Sequence, residues 1–198
     1  MTAASAQVRR PPGRPRSAEA DEAILDATLE LFADAGLEGL TVEGVAARAG
    51  VGKATVYRRY PGKLELVVAS LKASADVEAP PPDTGAVRGD LRELVDTLIA
   101  RLTGTAVGRA MPMLVAEAAR VPELAAEHQA IVREKRGRVR AVVERAVARG
   151  DLRAGIDPDL VVDTCVGPIF YRFLVTHAPL DDTFADALVD SVVAAFAG

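Results

Sequence analysis

The residues with the most evident chemistry lie in one short run, Lys53-Ala54-Thr55-Val56-Tyr57-Arg58-Arg59-Tyr60. Wound into a helix, this run turns Val56 toward a core and sets Lys53, Thr55, Tyr57 and Arg58 on the opposite side. A helix fits the major groove of B-DNA, and small residues at its entering end permit close approach. Ala54 and Thr55 meet that need and suit thymine methyls. Arg58 suits a guanine edge and a phosphate equally. Tyr57, Tyr60, Lys63 and Thr41 suit phosphate oxygens, which set register rather than sequence. Lys63 also stands at the positive end of the next helix, where backbone amides favour an anion. Arg14 and Arg16, with Arg9 and Arg10, lie in a stretch of sixteen residues that contains no acid. The chemistry implied is contact with a nucleic-acid backbone and base edges.

These side chains need elements to hold them. Residues 1–16, rich in Pro, Ala and Arg, are expected to form a disordered basic arm. Ser17 reads as the cap of a first helix with acids in its first turns, and Ile24, Leu25, Thr28, Leu31 and Phe32 recur at helical spacing up to a stop at Gly36. Thr41 caps a second, short helix whose inner face is Val42, Val45, Ala46 and Ala49. Gly50 turns the chain, Val51 plugs the turn, and a third helix runs from about Lys53 to Arg59 until Pro61 stops it. A fourth begins near Gly62, with Leu64, Val67, Val68 and Leu71 on one face. The spacing is that of a helix-turn-helix.

Glu78-Ala79-Pro80-Pro81-Pro82-Asp83-Thr84-Gly85 cannot be helical and reads as a domain boundary. Beyond it, Leu91, Leu94, Val95, Leu98 and Leu102 form one stripe, and Met111, Met113, Leu114 and Val115 a shorter one. A long helix is expected from about Pro122 to Arg149, stopped by Gly150. Another is capped by Asp157 with Pro158 first, and a last runs from about Asp182 to Ala197. No segment alternates convincingly as a strand. The expected fold is all-α with about nine helices. It divides into a DNA-binding helix-turn-helix domain over residues 17–77 and a larger helical domain over 86–198.

Residues from about Ala18 to Leu71 resemble the DNA-binding domain of the TetR (tetracycline-repressor-like) family. The resemblance rests on Ala23-Ile24-Leu25-Asp26-Ala27, Leu31-Phe32-Ala33-Asp34-Ala35-Gly36, Thr41-Val42, Val45-Ala46 and Ala49-Gly50-Val51. It continues through Tyr57-Arg58-Arg59-Tyr60-Pro61 and Lys63-Leu64-Glu65-Leu66. Gly52 departs from it, standing where the family usually has a Ser or Thr cap; Arg59 replaces a frequent His and Tyr60 a frequent Phe. The resemblance implies a dimer joined by its last two long helices, a buried effector pocket in the C-terminal domain, and repression of transcription. A looser likeness to one C-terminal subgroup of the family spans Gly150-Asp151-Leu152-Arg153, Asp157-Pro158-Asp159 and Gly167-Pro168-Ile169-Phe170-Tyr171-Arg172.

For the pocket, Met111, Met113, Leu94, Leu98 and Leu114 are candidates, with Phe170 and Phe173 opposite; such residues also serve as plain core. Thr103, Arg109, Glu117, His128, Tyr171 and His177 can supply polar handles, unranked. The expected effector is small and largely apolar. Val161, Cys165, Ile169, Phe184, Leu188 and Val192 are expected to meet a second copy across a two-fold axis. The basic run Arg133, Lys135, Arg136, Arg138 and Arg140, interleaved with Glu134, reads as a solvated helix face. Cys165 reads as inert packing.

Net charge is −4, which argues against non-specific coating of nucleic acid but not against a directed contact, because charge acts locally. A single cysteine excludes an internal disulfide, and two isolated histidines give no metal constellation. No apolar run is long enough to span a bilayer and no signal peptide opens the chain, so a cytoplasmic protein with no membrane partner is expected. No Gly-rich phosphate loop, nucleophile elbow or paired-His motif supports an enzyme, and no cofactor is expected. A helical adaptor that binds only proteins would have no use for the arginine arm and the Lys53-to-Lys63 surface. A sequence-specific transcriptional regulator remains, and the resemblance implies a repressor released from a palindromic operator by a small molecule.

Overall fold

The computed structural model describes residues 16–75 and 80–198, so Arg14 and the rest of the arm before Arg16 lie outside the described residues. The helices are α1 (Arg16–Gly39), α2 (Val42–Arg48), α3 (Lys53–Tyr57), α4 (Lys63–Ala75), α5 (Val87–Gly104), α6 (Ala106–Ala118), α7 (Pro122–Arg149), α8 (Pro158–Tyr171) and α9 (Asp182–Phe196). A π-helical turn, Arg172–Thr176, extends α8. Among the described residues there is no strand, only an isolated bridge between Leu152 and Ala197. The chain is all-α, as its periodicity implied.

Local signals place several ends as expected. The Thr41 hydroxyl accepts from the Gly44 amide at 3.0 Å and opens α2. Gly150 closes α7 in the left-handed region, φ 85. Asp157 accepts from the Asp159 amide at 2.9 Å, with Pro158 in the first turn of α8. The start of α1 differs: it opens at Arg16, so Ser17 lies inside the helix rather than capping it. Gly36 interrupts α1 at φ 65, ψ −171 but does not end it, and one further turn follows.

Two apolar clusters build the interior. The first joins Ile24, Phe32, Leu40, Val45, Val56, Leu66 and Val67 to Val107, Ala110 and Leu114 of α6 and Leu124 of α7. The second joins Leu91 and Val95 of α5, Val142 and Val143 of α7, Val161 and Ile169 of α8, and Val189 and Val192 of α9. Each fully buried Leu, Ile or Phe contributes roughly 1.5–3 kcal/mol, before the entropy cost of ordering it. The first cluster crosses the expected domain boundary, so the N-terminal helices pack directly on α6 rather than hanging from a linker.

The boundary segment is itself held. The Thr84 amide and hydroxyl donate to Asp90 Oδ1 at 2.6 and 2.8 Å. Arg149 reaches the other oxygen of this buried carboxylate at 3.1 Å. Burial raises the Asp90 pKa, but the Thr84 bonds and Arg149 outweigh it, and the net shift is downward. Arg145 and Arg149 also face Asp83 at 3.9 and 3.6 Å.

Candidate nucleic-acid interface and effector cavity

The first four helices present one small surface. α3 has no side-chain cap, because Gly52 offers none, and it ends at Tyr57, with backbone bonds from Arg58, Arg59 and Tyr60 closing its last turn. Val56 is fully buried and anchors it. Lys53, Ala54, Tyr57 and Arg58 are exposed, Tyr57 at 50 %, and Thr55 is half-buried. An aromatic ring so exposed on a five-residue helix serves no packing purpose in a single chain. The Arg58 side chain makes no hydrogen bond or ion pair with the described residues.

The neighbours of α3 are more engaged. Lys53 lies 3.3 Å from Glu43. That carboxyl is held below its usual range by its own backbone amide and then by Lys53. Arg59 turns back to Asp21 at 2.5 Å, which removes it from the exposed set. Tyr60 is half-buried against the core, and burial pushes its phenol pKa up. Its hydroxyl therefore stays protonated and able to donate to an anion. Lys63 donates to the Glu38 carbonyl at 3.3 Å from an exposed position at the start of α4. Thr41 is exposed, and its hydroxyl hydrogen remains available while its oxygen caps α2. Arg16 opens α1.

A cavity of about 240 Å³ lies between α4, α5, α6, α7 and α8. Leu94, Leu98, Met111, Leu114 and Phe170 line it, together with Leu71 from α4. Met113 does not: it sits on the other side of α6, where a Cβ added at Gly36 would meet its sulfur at 3.1 Å and Glu117 Oε1 at 2.9 Å. Phe173 does not either, and packs on the second cluster. The wide π turn from Arg172 breaks the three-to-four-residue repeat that would carry Phe173 beneath Phe170.

Of the polar handles, only His128 lines the cavity, and burial lowers its pKa. Arg109 faces Glu30 at 3.7 Å, Glu117 accepts from the Leu37 amide at 3.4 Å, and Thr103, Tyr171 and His177 are exposed. The basic run on α7 departs from the expected solvated face. Lys135, Arg136 and Arg138 line the cavity, while Arg136 and Arg140 pair with Asp159 at 3.2 and 2.5 Å. Arg101, Thr97 and Val132 also line it and were not anticipated. The readable signal was the stripe His128, Ile131, Lys135 and Arg138, which repeats every three or four residues.

The expected interface set divides: Val161, Cys165 and Ile169 face inward, whereas Phe184, Leu188 and Val192 also line a shallow groove between α8 and α9. Val161, Cys165 and Ile169 are buried in the protomer's own core, Cys165 and Ile169 beside the cavity, and Val192 is buried with Leu188 nearly so. Phe184 is half-buried under the Arg172 guanidinium, 3.9 Å from its ring centre. Burial also pushes the Cys165 thiol up to about 11, so it stays protonated.

The profile described as "Bacterial regulatory proteins, tetR family" matches residues 24–69, and that described as "Tetracyclin repressor-like, C-terminal domain" matches residues 81–192. The HTH-type transcriptional regulator YdeS of Bacillus subtilis is 31 % identical over 178 residues, covering 89 % of each chain. The DNA-binding transcriptional repressor TetR of Mycobacteroides abscessus is 31 % identical over 193 residues, covering 91 % of this chain and 93 % of its own. The crystal structure of the TetR family regulator SCO0332 superposes with a TM-score of 0.68 at 29 % identity, covering 91 % of this chain and all of the other. With an exposed, basic and aromatic α3 held behind a Gly turn, and both profiles matched in order, the chain belongs to the TetR family of DNA-binding transcriptional regulators.

Proposed function

We propose that the protein is a homodimeric repressor whose affinity for a palindromic operator is lowered by a small molecule in the α4–α8 cavity. The observation that carries this reading is Leu71: it is buried on α4, packs in the same cluster as Val56 of α3, and forms part of the cavity wall. A ligand pressing on that wall acts on the helix that carries the reading head. Arg58, Ala54 and Thr55 face base edges. Tyr57, Tyr60, Lys53, Lys63 and Thr41 hold phosphates, joined by Arg14 and Arg16 of the arm. Residues 17–77 form the DNA-binding unit and 86–198 the effector and dimerisation unit. The protein acts in the cytoplasm, needs no cofactor and catalyses no reaction.

A dimer places two copies of α3 about one turn of DNA apart, roughly 34–36 Å, and doubles a short half-site into a palindrome. The face offered to the second copy is the outward side of α8. Leu160, Thr164, Gly167, Pro168, Tyr171 and Val175 follow one another at helical spacing, and Leu160, Tyr171 and Val175 are exposed at 54, 58 and 62 %. Beside them, Pro168, Phe184, Ala187, Leu188, Ser191 and Val192 line a shallow groove between α8 and α9, so three of the expected interface residues border this face.

The test is retention of genomic fragments by the purified protein at moderate salt, with the region beside its own coding sequence included. Retention of a short palindromic site supports the reading. Binding that is blind to sequence and lost with salt, or no binding, overturns it. Linkage sets a second condition: the effector must bind the free protein better than the operator complex by the same factor that it weakens operator binding.

A further inference from the structure

The charge on the cavity wall is one-sided. Among the described residues Arg101, His128, Lys135, Arg136 and Arg138 line it, with no Asp or Glu. Four of these are accounted for: Lys135 donates to the Ala75 carbonyl at 2.7 Å, and Arg138 is engaged with a neighbour of its own. Arg136 is neutralised from behind by Asp159 and Asp163, and burial lowers the His128 pKa, which leaves its ring neutral near pH 7. Arg101 is different. It is half-buried, burial alone perturbs it, and its guanidinium makes no hydrogen bond or ion pair with the described residues.

A guanidinium does not give up its charge inside a protein, so withdrawing it from water without a counter-charge costs free energy. Such a group on a cavity wall is stabilised by an anion that enters. Lys135 is placed to join it. α5 and α7 run antiparallel, with Asp90 against Arg149, so further along α5 Arg101 comes level with the turn of α7 that carries Lys135 and Arg138. Apart from Thr97 and Cys165, the rest of the wall is aliphatic or aromatic, with Leu94, Leu98, Met111, Leu114, Ile169 and Phe170 the main contributors. At about 240 Å³ the space lies just below the ~300–1,000 Å³ usual for drug-sized ligands.

We propose that the ligand of this cavity is a small amphiphilic anion, an organic acid whose carboxylate is held by Arg101 beside Lys135 and whose apolar body lies against α6 and α8. This rests on the cavity being the effector site.

The test uses matched pairs that differ only in the head group, decanoate with decanol and para-butylbenzoate with para-butylbenzyl alcohol. Binding to the full-length protein is measured by calorimetry below micellar concentrations. At least one acid is expected to bind roughly tenfold or more tighter than its alcohol, the size of a charge-assisted hydrogen bond. Arg101→Met is expected to abolish that preference, to leave alcohol binding within about twofold, and to hold or raise the melting temperature of the unliganded protein. Arg101→Lys is expected to retain part of the preference. If alcohols bind as well as acids, the anion is overturned while the effector cavity stands. If no member of either pair binds, both fall. If Arg101→Met melts several degrees lower and keeps the preference for acids, Arg101 is structural and the proposal is overturned.

Discussion

Lys63 and Gly36 show how differently two residues can serve one surface. Lys63 is exposed and spends its contact on a carbonyl that water satisfies equally well, so its side chain contributes little to stability. Lys63→Ala is therefore expected to leave the melting temperature nearly unchanged. It should weaken operator binding alike across sequences and make the salt dependence shallower by about one unit of slope, as measured by titration at several salt concentrations. Gly36 touches no DNA. At φ 65 and ψ −171 it occupies backbone space essentially closed to other residues, and a Cβ there would strike Glu117. Gly36→Ala should cost about 1–3 kcal/mol, seen as a lower denaturant midpoint. The sequence made such positions legible where chemistry is local: the Thr41 and Asp157 caps, the Gly150 stop and the exposed face of α3. It misplaced Met113 and Phe173 because which side of α6 meets α1, and a π turn after α8, are settled by tertiary packing and leave no periodic trace.

Among the elements, α7 does the most joining. Its C-terminal half clamps the boundary segment through Arg145 and Arg149, and its N-terminal half walls the cavity. Asp90 is the centre of that clamp, with its pKa below the unfolded carboxylate value. The folded state thus binds fewer protons than the unfolded state as pH falls, so the contribution is full above the unfolded pKa and is lost on descending through the folded one. Asp90→Asn should flatten the acid limb of a stability-against-pH curve measured by chemical denaturation. A flattening that is absent would assign the limb to other carboxylates. At the other end, Lys135 donates to the Ala75 carbonyl, the last of α4, at 2.7 Å while also lining the cavity. A cation there also suits the negative end of the α4 dipole. Lys135→Met should weaken operator binding of the unliganded protein by up to roughly fivefold and blunt the effect of ligand, both read by operator titration. None of this was legible beforehand. A basic run interleaved with acids looks solvated until α8 supplies the carboxylates that turn part of it inward.

The apolar stripe through Val161, Cys165 and Ile169 was legible as buried, but whether it is buried by the protomer or by a partner is not encoded in spacing. The outward stripe of α8 is mixed, with Thr164 and Gly167 between its larger members, and is easily passed over in a sequence. If it is the two-fold face, Leu160→Asp combined with Tyr171→Asp should give a folded monomer by sedimentation equilibrium. Such a monomer should lose roughly tenfold or more of its operator affinity, since one reading helix spans only half a site. A double variant that remains dimeric would move the interface elsewhere. Leu71, finally, bears on how such a protein can change over generations. Because the chamber borrows one wall from the DNA-reading half, a substitution that enlarges it at Leu71 is expected, on the proposed effector role, to reset the unliganded affinity for the operator as well. Substitutions at Leu98 or Phe170, on walls the reading head does not share, are expected to alter what is sensed and leave basal control in place. New inducer specificities should accumulate on the α5 and α8 walls first, with the α4 wall the last to vary.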